Sequence, residues 1–152
     1  MRTDISTESL AAACGEVLER MFFTDVLGDS EASGAPCPGC LCASLAFQGE
    51  RHGWLHLEIS RPAARSLSAN FLGVEREEEL TETAIGEVVC ELANMICGTV
   101  LSHQGDSSQF DLATPVLCGP AGCAGTPVGV RRKFELENGD LTVSFTIGEP
   151  HA

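Results

Sequence analysis

Two polar residues one helical turn apart, Glu91 and Asn94, are the residues whose types and spacing best suit chemistry. They lie in a segment with helical periodicity, whose apolar stripe consists of Ile85, Val89, Leu92 and Ile96. The opposite stripe consists of Glu87, Glu91, Asn94 and Gly98. Because Asn and Gly each cost a helix interior about 0.5 to 1 kcal/mol relative to Ala, this polar stripe indicates a role other than folding.

The chemistry open to this stripe is the positioning of a reactant rather than nucleophilic attack. The Asn94 amide can donate and accept hydrogen bonds, so it can orient a water molecule without carrying charge. The Glu91 carboxylate can pair with a cation. Helical spacing alone indicates only that both groups can reach one target, and an ordinary solvated helix face is the alternative interpretation.

The motif G-E-x-x-x-E-L-x-N-M-I-x-G, from Gly86 to Gly98, resembles the motif helix of the CheX-type chemotaxis phosphatases. This family is related to CheC and to phosphatase-like flagellar switch proteins of the FliY type. The segment 111–117, followed by a glycine-rich turn, resembles the strand that follows this helix in the family. The resemblance covers most of the chain in the order of its elements and is sharp between about Leu80 and Gly119.

The resemblance implies an enzyme that dephosphorylates the phosphoaspartate of a CheY-like response-regulator receiver domain. In that role Asn94 would position the attacking water, and Glu91 would pair with the active-site lysine of the receiver. Glu87 and Gly98 are the candidate partner-binding residues. CheC-type motifs tend to carry Asp or Ser where Glu87 stands, so an ordinary helix-surface residue is the favoured interpretation of Glu87 and assistance in docking is the alternative. This chain would bind no cofactor, because Mg²⁺ belongs to the receiver. The resemblance also suggests a homodimer built partly by sheet extension.

The first predicted helix carries no second copy of this motif, although the family is built on a weak internal duplication. The segment Glu16–Glu19 occupies the comparable place, but Glu19 stands where an asparagine would be required. That half is therefore predicted to be inactive, which is the arrangement of the single-motif CheX branch.

Cysteine content suggests an alternative function. The chain has eight cysteines, and two glycine-rich loops hold the candidate metal ligands Cys37, Cys40, Cys42, Cys118 and Cys123. A thiolate metal site needs four ligands, and a Cys-x-x-Cys pair can cycle as a dithiol. The spacing fits no standard zinc ribbon, so free thiols and no metal are the favoured interpretation. A metal or redox sensor and a non-catalytic module that binds a receiver or a motor component remain the alternatives.

Length and charge narrow the class of protein. A chain of 152 residues with 43% hydrophobic residues predicts one globular domain spanning residues 1–152. The net charge of −13 argues against nucleic acid and anionic membranes as partners, because both would repel the chain. No run of 18 apolar residues is present, which predicts no membrane span, and the N-terminus lacks the apolar core of a signal peptide. A cytoplasmic protein is the expectation.

The remaining periodicities predict an α+β fold, with long helices packed on one face of a mostly antiparallel sheet. Helices are predicted from about Ser6 to Phe22, after a Ser60 cap up to Gly73, and from about Thr81 to Ser102. Strands are predicted around residues 45–47, 55–59, 110–117, 134–136 and 141–147, with a hairpin turn at Asn138–Gly139. Residues 29–42 and 118–129 are predicted to be loops.

Overall fold

The computed structural model describes residues 6–31, 39–49, 52–103, 110–118 and 130–148. Within them the helices are α1 (Thr7–Met21), α2 (Arg61–Leu72) and α3 (Glu82–Ser102), with a 3₁₀ turn at Glu77–Glu79. The strands are β1 (Val26–Ser30), β2 (Leu41–Gly49), β3 (His52–Ile59), β4 (Phe110–Leu112), β5 (Val116–Cys118), β6 (Val130–Leu136) and β7 (Gly139–Gly148).

The seven strands form one sheet in the order β1-β6-β7-β3-β2-β4, and β5 pairs with β2 next to β4. Every pairing between these strands is antiparallel. The helices pack on the sheet, and α3 contacts both other helices. The predicted α+β class with a mostly antiparallel sheet is therefore confirmed.

The hydrophobic core lies between the helices and one face of the sheet. Strand β3 illustrates the alternation, because Leu55, Leu57 and Ile59 are fully buried while Trp54 at its start is half exposed. The apolar stripe of α3 lies in the same cluster of buried side chains, with Ile85, Val89, Leu92 and Ile96 all nearly or fully buried. This burial fixes which face of α3 points away from the protein.

The predicted helix starts hold at α1 and α3, where Ser6 and Thr81 accept hydrogen bonds of 3.0 Å from the backbone N–H groups of Ser9 and Ala84. Gly73 ends α2 with a φ of 71°, the left-handed conformation expected for a C-terminal glycine. Ser60 is the N-cap residue of α2 by position only, since its hydroxyl accepts from the N–H of Asp140 at 3.2 Å. It ties α2 to β7 instead.

Strand β1 was missed, and both boundaries of the predicted loop 29–42 were wrong. Asp29 and Ser30 belong to β1, and Leu41 and Cys42 begin β2. The sequence of β1 contains Gly28 and Asp29, which are poor strand formers. Its extended conformation is stabilised by antiparallel pairing with β6. The Asp29 carboxylate also accepts a 2.8 Å hydrogen bond from the guanidinium of Arg132 on β6.

The strand predicted over 110–117 is two strands, β4 and β5, separated by residues 113–115. Pro115 has no N–H to donate to a ladder, which explains the break. Both strands pair with β2, and the Ala113 N–H donates to the Ala46 carbonyl at 2.8 Å between them. The prediction that Cys118 begins a loop was also wrong, because Cys118 is the last residue of β5.

The β6–β7 hairpin is confirmed, with its turn displaced by one residue. Its two loop residues are Glu137 and Asn138, and Gly139 already pairs with Leu136. Gly139 is required for packing rather than for the turn, because a Cβ there would collide with the Ser60 hydroxyl. The first turn of α2 therefore lies directly on the start of β7.

Helix α3 is the one helix, among the residues described, whose length and composition would suffice to cross a membrane. Within this protein 56% of that stretch is buried. The burial accounts for its apolar composition, since α3 is the central helix of the core.

Candidate functional site

The candidate site is the outward face of α3. The Thr81 cap sets where the helix begins, and the buried apolar stripe sets its rotation. As a result Glu87 is exposed, while Glu91 and Asn94 are half buried at the surface. A rise of about 1.5 Å per residue puts Glu91 and Asn94 about one turn apart, so one partner can contact both side chains. The predicted polar stripe therefore exists.

The side chains of Glu91 and Asn94 have no hydrogen-bond or ion-pair partner among the described residues. Glu82 at the start of the same helix differs from them, because its carboxylate forms an ion pair with the Arg61 guanidinium at 2.8 Å. Since an amide and a carboxylate without internal partners are free to bind an outside group, this face has the property that a docking site requires.

A groove of about 890 Å³ runs along this face between α3 and the segment 112–117. We call it the α3–β5 groove. One wall is formed by Glu82, Glu87, Glu91 and Asn94, and the other includes Leu112, Val116 and Leu117. Val116 and Leu117 are 56% and 50% exposed. The two candidate catalytic residues therefore line a surface depression rather than a flat helix face.

Gly86, the first residue of the motif, lies where the two walls of the groove meet in the space of a missing side chain. Its position is buried, and a Cβ added there would come within 2.7 Å of Leu117 Cδ1. Glycine at this point lets β5 pack close against α3. Sequence reasoning missed the wall residues Val116 and Leu117, because no local pattern links residue 117 to residue 86.

The α3 wall of the groove carries the carboxylates of Glu82, Glu87 and Glu91. Cys90 is half buried and lines the same groove. Burial raises the pKa of the Cys90 thiol, and the nearby carboxylates of Glu87 and Glu91 raise it further. Within the described part of the chain, no Lys, Arg or His lines the groove. Burial and the two carboxylates both favour the protonated thiol over the thiolate, which is the nucleophilic form.

Gly98 faces a different depression. It lies in a groove of about 370 Å³ between α1 and α3, together with Met21 and Met95. A Cβ built on Gly98 would meet nothing within 4 Å, so the space above it is open. We call the segment 87–98 of α3 the ridge, because the α3–β5 groove lies beside Glu87, Glu91 and Asn94 and this second groove lies beside Gly98.

The comparable segment of α1 offers no similar pair. Glu16 and Glu19 are both exposed, and Glu16 lies 3.5 Å from the His103 imidazole at the end of α3. No asparagine stands near them on α1. Helix α1 therefore carries no acid–amide pair comparable to Glu91 and Asn94.

The candidate cysteine ligands are not assembled in the part of the chain that the structure describes, where no group of three or more His, Cys, Asp or Glu side chains could hold a metal. Cys42 is free and buried, and it is the register partner of Cys118 across β2 and β5. Cys40 is disulfide-bonded, so the expectation of a free thiol was wrong there. That expectation rested on cellular compartment, which does not enter the local geometry. Cys37 and Cys123 lie outside the described residues.

Comparison with known proteins identifies the family. The family model described as chemotaxis phosphatase CheX matches residues 41–129, which is more than half of the chain. This chain belongs to the CheX family. The matched region contains β2, β3, α2, α3 and the whole β4–β5 segment, so both walls of the α3–β5 groove lie within it.

Solved CheX structures share the fold at low sequence identity. A CheX from Borrelia burgdorferi, crystallised in a CheX–CheY–BeF₃–Mg²⁺ complex, is 16% identical with a TM-score of 0.78, over 97% of this chain and 100% of that one. CheX from Desulfovibrio desulfuricans is 21% identical with a TM-score of 0.70, over 93% and 98% of the chains. CheX from Vibrio vulnificus is 19% identical with a TM-score of 0.69, over 93% and 95%. No curated protein matches this chain.

Proposed function

We propose that this CheX-family protein is a phosphatase that hydrolyses the phosphoaspartate of a CheY-like receiver domain. The observation that carries the proposal is the pair Glu91 and Asn94, which lie one turn apart on the ridge of α3 and have no partner among the described residues. The family match and the similar CheX crystallised with CheY, BeF₃ and Mg²⁺ support a receiver as the partner.

The proposed role of Asn94 follows from what phosphoaspartate hydrolysis needs. Water attacks phosphorus in line with the departing carboxylate, and catalysis consists of positioning the water and neutralising charge. An amide can accept one hydrogen bond from the attacking water and donate another to a phosphoryl oxygen. Within the described part of the chain, no hydrogen bond of the Asn94 side chain would have to break for it to do so.

Glu91 is proposed to fix the register of docking. A carboxylate one turn before Asn94 can form a charge-assisted hydrogen bond with a lysine of the receiver. That contact would set the distance from the Asn94 amide to phosphorus. The receiver would supply the aspartate, the lysine and Mg²⁺, so this chain would need no metal of its own. Glu87 and Gly98 would contact the receiver at either end of the ridge.

The test is the decay of phosphorylated receiver domains from the same cell, followed with and without this protein. We expect the protein to shorten the lifetime of one receiver. We expect Asn94→Ala to remove the acceleration, with a loss of about a hundredfold, because a misplaced reactant costs rates of this order. Asn70→Ala is the matched control, since Asn70 is an exposed amide on α2 that donates to the Phe23 carbonyl at 3.2 Å.

Two outcomes would count against the proposal. Unchanged decay for every receiver, together with measurable binding of one of them, would favour a non-catalytic binding module. Acceleration that survives in Asn94→Ala but disappears in Asn70→Ala would show that the catalytic residue does not lie on the ridge of α3. A cytoplasmic location stays a prediction.

A further inference from the structure

We propose that the α3–β5 groove selects the receiver by binding an amphipathic, cationic helix that flanks the phosphorylation site. The inference rests on the proposed function and extends it from hydrolysis to partner choice. It assigns a role to residues outside the motif, chiefly Val116 and Leu117 of β5.

The position of the groove ties it to the site. Glu91 and Asn94 are themselves lining residues, on the same wall as Glu87. A receiver whose phosphoaspartate faces Asn94 must therefore cover part of the groove. With a volume of about 890 Å³, the groove is large enough for several side chains of such a partner.

The charge of the α3 wall indicates a basic partner. Glu87 and Glu91 have no cationic neighbour within 4 Å among the described residues, and Glu82 is the carboxylate of this wall that is already paired, with Arg61. The carboxylates of Glu87 and Glu91 add to the effect of burial in raising the pKa of the Cys90 thiol, which also lines the groove. Lysine or arginine side chains of the partner would complement this wall, and the net charge of −13 would attract them from a distance.

The apolar side chains of the opposite wall indicate that the groove recognises its partner by apolar contacts as well as by charge. Val116 and Leu117 leave about half of their surface in water, although adjacent Leu112 is partly buried against the core. Covering two branched side chains stabilises a complex in proportion to the apolar area that leaves water. A partner with basic residues on one face and aliphatic residues on the neighbouring face would match both walls, which is the binding mode of an amphipathic helix in a groove.

The first experiment maps the contact by photocrosslinking. A photoreactive amino acid replaces Val116 in one sample and Leu72 in another, because Leu72 is 46% exposed but lies on α2, outside the groove. The probe is each receiver domain of the same cell, activated with beryllofluoride and Mg²⁺. We expect crosslinks from position 116 to a basic helix of one receiver and none from position 72. Crosslinks from 72 alone, or binding without a crosslink at 116, would overturn the proposal.

The second experiment tests the charge. Glu87→Lys should weaken the Kd for the activated receiver about tenfold at low salt, and the effect should shrink at about 0.5 M salt as charges are screened. Glu79→Lys makes the same charge change in the 3₁₀ turn, outside the groove, and should change the Kd less than about twofold. Equal effects of both substitutions would show that only the overall charge matters, and would overturn the groove as the selecting surface.

The two proposals fail in different ways. A receiver that crosslinks at position 116 but decays at its own rate would overturn hydrolysis and leave docking in the groove. A receiver that is hydrolysed in an Asn94-dependent way, with no crosslink at position 116, would leave hydrolysis and overturn the groove. Absence of binding to every activated receiver would overturn the docking proposal.

Discussion

At the scale of single residues, two glycines are required because another element occupies the space of a side chain. Gly86 is overlain by Leu117, and Gly139 by Ser60 and Ala63. The two contacts differ in how easily the overlying atoms could move aside for an added Cβ. Leu117 Cδ1 is the end of a half-exposed side chain, whereas Ser60 and Ala63 belong to the first turn of α2, which the Asp140 N–H holds in place.

We expect Gly139→Ala to destabilise the protein by about 1–3 kcal/mol, because the added methyl group forces α2 away from β7. Gly15→Ala is the matched control. Gly15 lies inside α1 with nothing within 4 Å of its added Cβ, so alanine should stabilise the helix by up to about 1 kcal/mol. Urea unfolding of the two variants measures both effects. A Gly139→Ala protein as stable as the wild type would contradict the packing of Ser60 on β7.

At the scale of elements, the two faces of α3 have different roles, one in packing and one at the candidate site. Its apolar stripe holds it against the sheet and the other helices, and its polar stripe presents Glu91 and Asn94. The buried stripe includes a thiol, Cys97, which is fully buried and free. Burial raises the pKa of Cys97 to about 12 from its ordinary value of 9.0. Ionisation of this residue is therefore coupled to the docking of α3 on the core.

The coupling predicts a loss of stability at alkaline pH. Below pH 9 the Cys97 thiol is neutral in both states and its contribution to stability is complete. Between pH 9 and about 12 the unfolded chain loses the Cys97 proton while the folded chain keeps it. The free energy of unfolding should then fall by about 1.4 kcal/mol for each pH unit.

Urea unfolding at pH 8 and at pH 10.5, in reducing buffer, tests this coupling. Cys97→Ala is expected to be less stable than the wild type at pH 8, because it leaves a cavity. Its further loss between the two pH values should be smaller than that of the wild type by about 2 kcal/mol. Equal further losses in the two proteins would mean that Cys97 ionises as readily in the folded state as in the unfolded state.

At the scale of the whole molecule, the described strands form a sheet with two edges that another chain could extend. One edge is β1, five residues long with a register shift at Val26–Gly28. The other consists of β4 and β5, each three residues long and separated by Pro115. The β4–β5 edge also carries the apolar wall of the α3–β5 groove. If the groove binds a receiver, the longer β1 edge is the one free for self-association.

We therefore predict a homodimer that pairs through β1. The mass in light scattering should be twice that of the 16.0 kDa chain at micromolar concentration. Leu27→Lys adds a charge at the β1 edge and should reduce the mass to that of one chain. Val116→Lys makes the same kind of change on β5 and should leave the dimer intact. Dissociation by Val116→Lys but not by Leu27→Lys would place the dimer interface at the α3–β5 groove. The groove would then be covered by the second copy and could not bind a receiver.

The sequence by itself determined the features that depend on local periodicity. The two stripes of α3, its Thr81 cap and the alternation of β3 and β7 repeat over neighbouring residues, so each segment contains all of the information that its pattern needs. For the same reason the ridge residues Glu91 and Asn94 follow from the amino-acid sequence alone. Hairpin β6–β7 also follows from adjacent segments, although its turn lies one residue earlier than its Asn-Gly pair suggests.

Only the tertiary structure decided what lies opposite that ridge. Strand β1 has no strand-like pattern and exists through its pairing with β6, and β5 reaches α3 because Gly86 leaves room for Leu117. These contacts join segments far apart in the chain, and their free energy depends on two surfaces meeting rather than on either sequence. The sequence therefore specified the polar pair, and packing between distant segments built the groove in which that pair is set.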